Sequence, residues 1–135
     1  MVTRFLRLTL VVAALMTAFG AYIFASPGSG FGQQYDLPAN APVVYRALVG
    51  LMLIVFAGMY AWMATQEVLL RPLLWLGVIG KGGAFLTALS LFALGLISAG
   101  PVSMLVGDGV LSVTWAVWLA RTMGGNGAAA GEVAK

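Results

Sequence analysis

Two side chains in this sequence carry charge where charge is expensive: Lys81 and Asp108 each stand well inside a long apolar run. An ammonium and a carboxylate so placed make a structural ion pair, a proton or ion relay, or a polar anchor for a ligand. Arg46, near the start of another apolar run, is a third candidate for the same constellation. Asp36 and Tyr45, together with Asp108, are the acid–base candidates for an enzyme acting on a lipid or isoprenoid. The sequence has no His and no Cys. Imidazole ligation of haem, thiolate zinc and iron–sulfur clusters are thereby excluded, as are disulfides. No cofactor is expected, and a bound lipid is the one small molecule the composition invites.

The elements that must hold these charges are read from composition. Of 135 residues, 61% are hydrophobic and 8% charged, where a soluble domain carries about 25% charged residues. Mean hydropathy is +1.01. A small soluble domain cannot hide so much apolar surface; a bilayer can. The net charge of +3 comes from basic residues scattered singly along the chain. Nucleic acid, which needs them clustered on one face, is not expected as a partner.

A membrane span takes about 20 mostly apolar residues. Four stretches qualify, at residues 5–25, 43–64, 72–97 and 101–120. The expected fold is therefore all-α, one four-helix transmembrane bundle over residues 1–123. A long loop covers residues 26–42, and a disordered tail rich in Gly and Ala covers 124–135. Pro72 and Pro101 open the last two spans, where a missing N–H is harmless. Arg4, Arg7 and the Ala25-Ser26 step give the first span the flanks of a signal peptide. Its apolar run exceeds a signal core, so a retained helix is expected.

Lys and Arg accumulate on the cytoplasmic side of short loops. Arg4, Arg7, Arg71 and Arg121 fall on one side, whereas residues 26–42 and 98–100 contain neither Lys nor Arg. Both ends of the chain are accordingly expected in the cytoplasm, in a bacterial inner membrane. Trp62, Trp75, Trp115 and Trp118 cluster toward that side and read as an interfacial belt, and Glu67 and Arg71 have the spacing of a helical ion pair.

Helices in lipid associate through small residues that let backbones approach. Gly77, Gly80, Gly83 and Ala84 mark the third span, Gly50 the second, and Gly107 and Gly109 flank the carboxylate in the fourth. At about 1.5 Å per residue, Lys81 lies roughly 14 Å deep and Asp108 about 10 Å from the opposite edge. Arg46 is shallow enough to snorkel.

Arg46 with Gly50, Gly80-Lys81, Gly107-Asp108 and the closing run Trp115–Arg121 resemble the small four-helix inner-membrane proteins grouped loosely as DoxX-like. The resemblance implies a compact bundle and no particular activity. The layout departs from small multidrug transporters, which carry a glutamate in the first span, and from fluoride channels, which use an intramembrane asparagine. The expected function is a non-catalytic accessory or assembly subunit, contacting membrane lipids and either other membrane subunits or further copies of itself. The alternatives are a small oligomeric transporter or channel using Lys81 and Asp108, and the lipid- or isoprenoid-modifying enzyme named above.

Orientation is checked by thiol labelling in intact cells. Ser29→Cys is expected to react with an impermeant reagent from outside, and Gly127→Cys only after permeabilisation. Labelling of both from one side would mean an odd number of spans.

Overall fold

The computed structural model describes residues 4–124, within which the chain is all-α. Four long helices, α1 (Arg4–Ala25), α3 (Val43–Thr65), α4 (Arg71–Ala93) and α5 (Ala99–Gly124), are each long and apolar enough to cross a membrane. A short helix, α2 (Gly30–Gln34), lies between the first two. The expected tail, beyond Gly124, is outside the described residues.

The ends of the helices follow local chemistry. Pro72 sits in the first turn of α4, where its missing donor is not needed. That helix stops at Ala93, short of the expected residue 97. Gly95 adopts a positive φ of 70°, and the Leu96 and Gly95 amides donate back to the carbonyls of Leu91 and Phe92. This glycine turn satisfies the last carbonyls and ends the helix. Residues 66–70 are not helical either, because Gln66 and Leu70 have extended backbone. The helical spacing of Glu67 and Arg71 therefore has no meaning here, and the expected ion pair does not form. Arg71 instead donates to the Thr122 carbonyl at 3.4 Å, and Arg7 to the Gln66 carbonyl at 3.2 Å. Both arginines thus meet carbonyls at the negative ends of helix dipoles, at what is here termed the basic end of the bundle.

At the opposite end, the loop 26–42 is folded. Ser29 caps α2 by accepting from the Gly32 amide, and Gly32 presses so closely on the Pro27 backbone that no side chain would fit. Phe31 meets Phe19 edge-on at 5.2 Å. Asp36, at a φ of 53°, accepts from the Ser98 hydroxyl, while Gly100 leaves room for the Tyr35 backbone. The loop is therefore fastened to the α4–α5 turn, the start of α5 and the end of α1.

Backbone packing is closest between α1 and α3 and between α4 and α5, giving two hairpin-like pairs joined along α1 and α5. The core lies in the basic half, where Leu6, Leu10, Tyr60, Met63, Leu74, Trp115 and Leu119 are fully buried. Trp115 corrects the belt reading: it is central and donates its indole N–H to Thr9 at 2.9 Å, whereas Trp62 and Trp75 are exposed. Gly77 faces this core, and a methyl placed there would press on both Trp115 and Tyr60. Gly107 and Gly109 likewise admit Met16 and Phe85, and Gly50 lies in ordinary contact with the Ala21 carbonyl. Gly80 and Gly83 differ from the expectation. Among the described residues, nothing beyond their own stretch of helix lies within 4 Å of a Cβ placed at either position, and both are exposed, as is Ala84. Gly83 lies off the buried face that Gly77, Lys81 and Ala88 share, while Gly80 and Ala84 stand at its edge beside a cavity.

Gly77→Leu is expected to destabilise the purified protein by about 1–3 kcal/mol or more through overpacking. Gly83→Leu should leave the thermal midpoint in detergent unchanged. Equal losses from both would mean that Gly83 is also packed.

Candidate functional site

Each long helix brings one side chain to the middle of the bundle. Lys81 lies one turn beyond Gly77 on the buried face of α4 and is 4% exposed. Its Nζ donates to Asp108 Oδ1 of α5 at 2.5 Å and to Thr17 Oγ1 of α1 at 3.1 Å. It also stands 5.3 Å from the ring centroid of Tyr60 on α3, within range of a cation–π attraction. The ammonium is therefore met by a carboxylate, a hydroxyl and an aromatic face, each from a different helix. Ser112, one turn beyond Asp108, donates to the Val78 carbonyl at 2.9 Å and joins α5 to α4 below the pair. Gly82 leaves space for that approach.

Lys81 and Asp108 thus meet as their spacing implied. Arg46 does not join them: it is half-buried on α3, and its Nε has no hydrogen-bond partner among the described residues. Asp36 is held by Ser98, and Tyr45 is exposed near the start of α3. Neither reaches the pair, so the acid–base set considered for an enzyme is scattered. Thr17 and Tyr60 were missed in the sequence. A faint signal for each was present: Thr17 is on the Ala13–Ala14–Ala21 face of the first span, and Tyr60 one turn past Ala57 on the Gly50 face of the second.

Beyond the pair, toward the loop end, the packing opens into a cavity of about 170 Å³. All four long helices line it. Its floor holds Lys81, Asp108, Thr17 and Tyr60, and its walls are apolar, among them Phe24, Leu53, Phe56 and Met104. Asp108 is 19% exposed, against 4% for Lys81, so the carboxylate is the more accessible partner. Below the floor, the ring of Trp115 lies 5.4 Å from that of Tyr60 and closes the basic half.

Comparisons of the chain with protein-family models, with curated proteins and with solved structures return no match. What the site does has to be argued from its geometry.

Removing one partner of a buried ion pair strands the other, typically at about 3–5 kcal/mol. Lys81→Met and Asp108→Asn are each expected to lower thermal stability in detergent by that order. The double variant should lose clearly less than the two single losses added together. Strictly additive losses would show that the ammonium finds its charge partner elsewhere.

Proposed function

We propose that the chain is a multi-pass protein of the bacterial inner membrane, with both ends cytoplasmic, and serves as a non-catalytic accessory or assembly subunit of a larger membrane complex. The observation that carries this reading is the inward placement of the ion pair. Lys81 is matched within the chain by Asp108 and Thr17, which leaves the outward faces of the spans apolar or small. Gly58, Gly80 and Gly83 are open on that exterior, and an apolar groove between α4 and α5 runs along Phe85, Leu86, Val110 and Val113. Such surfaces favour close approach of another apolar helix.

The alternatives are less well supported by the same geometry. A transporter or channel using the pair needs a polar route through both halves of the bundle. Trp115, Leu74 and Leu119 fill the basic half with buried apolar volume. A lipid-modifying enzyme needs a free acid or base beside the cavity, and the one carboxylate there is bound to Lys81.

Native mass measurement after extraction in mild detergent tests the proposal. Co-purification with other membrane chains in fixed ratio is the expected result. A monodisperse oligomer of this chain alone that carries a proton or ion flux in liposomes would replace it with the transport reading.

A further inference from the structure

The cavity above the ion pair is left unused by a purely structural role, and its construction is specific. Its floor is polar and its walls apolar. Tyr60 is 2% exposed and borders the cavity, so its phenol belongs to the polar floor. The wall of the cavity includes the seam between α3 and α4. These two helices meet where Tyr60 touches Gly77, and their backbones do not pack closely beyond it. There Leu53 and Phe56 on α3 face Gly80 and Ala84 on α4, all four bordering the cavity, with Gly80 and Ala84 exposed. A side chain at Gly80 would meet nothing, so the glycine keeps a gap in the wall.

We propose that this cavity binds a neutral, lipid-soluble molecule with a single hydroxyl or carbonyl head on an apolar body, admitted sideways from the bilayer between α3 and α4 past Gly80. The inference rests on the membrane placement proposed above. Size fits: an engineered apolar cavity of roughly 150 Å³ holds benzene, so this volume takes a ring or a short length of chain, with the remainder of the body in the gap. Charge decides the head. The Lys81–Asp108 pair is neutral as a unit, so an anionic head would have to displace Asp108 from the ammonium and a cationic head would have to displace Lys81. A hydroxyl or carbonyl needs neither exchange. It accepts from the Tyr60 hydroxyl, and a hydroxyl head also donates to the exposed side of Asp108. A purely apolar molecule would make no use of the polar floor.

The test uses the full chain in phosphatidylcholine nanodiscs with a diazirine-bearing dodecanol, and labelled positions are mapped by mass spectrometry. Labelling should concentrate on cavity-lining residues such as Leu53, Phe56 and Met104. Unlabelled 1-dodecanol should compete better than dodecane, dodecanoate or dodecylamine at equal membrane concentration. Tyr60→Phe should weaken competition by 1-dodecanol by about tenfold, the order of one net hydrogen bond, while leaving dodecane unchanged. Gly80→Leu should abolish cavity labelling, whereas Gly83→Leu, one turn further along the exterior, should label as the unaltered protein does. Unchanged thermal midpoints for both glycine variants separate a blocked gap from a damaged fold.

Labelling spread evenly over the outward helix faces and insensitive to Gly80→Leu would overturn the site. Preferential competition by dodecanoate or dodecylamine would overturn the neutral head, and equal competition by dodecane would remove the role of the polar floor. Release of the protein from membranes by alkaline carbonate would instead defeat the membrane placement itself, whatever the labelling pattern.

Discussion

A charged amine halfway along a bundle of apolar helices is stable only if its charge is answered at short range. Lys81 imposes this condition on the rest of the molecule. Asp108, Thr17 and Tyr60 answer it from three other helices, so the charge ties all four spans to one point. Among helices this apolar, a shared charge supplies a register that apolar side chains alone would leave loose. The counterpart is sensitivity: a sliding or rotation of any one helix would remove one of the ammonium's partners.

Around that point the two halves of the bundle are built differently. Toward the basic end, Trp115, Tyr60, Met63 and Leu74 fill the interior, and the indole N–H is satisfied by Thr9. Dispersion between closely packed groups holds this half together. Gly77 is required there because two aromatic rings occupy the volume that any side chain would need. Toward the loop end, the helices leave a cavity above the polar floor, and the loop with α2 is fastened across α1 and the start of α5. A closely packed half and an open half thus meet at the layer of the ion pair.

The glycines illustrate how little residue type says without its surroundings. Gly77, Gly107 and Gly109 admit aromatic or thioether side chains from neighbouring helices. Gly80, three residues from Gly77, admits nothing from within the chain and opens the wall of the cavity. Substitution at the first kind of position acts on stability. At Gly80, it acts on access.

The number of long apolar helices, their approximate limits and the all-α class were legible in the sequence, because apolar length and proline position are local properties that no neighbour can change. The meeting of Lys81 and Asp108 was legible too, since two opposite charges at similar depth have few other partners. Tertiary structure alone decided which helix faces touch. Periodicity sets the angle between Gly77 and Gly83 on their helix but not which of them meets Trp115, and a tryptophan near the end of a span reads as a belt residue until a neighbouring helix covers it. It also decided that Glu67 and Arg71 are separated by extended backbone, that Arg46 stays apart from the pair, and that Thr17 and Tyr60 join it. Each of these outcomes depends on the distance between segments far apart in the chain. Composition and spacing carry no measure of that distance; the packing of whole helices sets it.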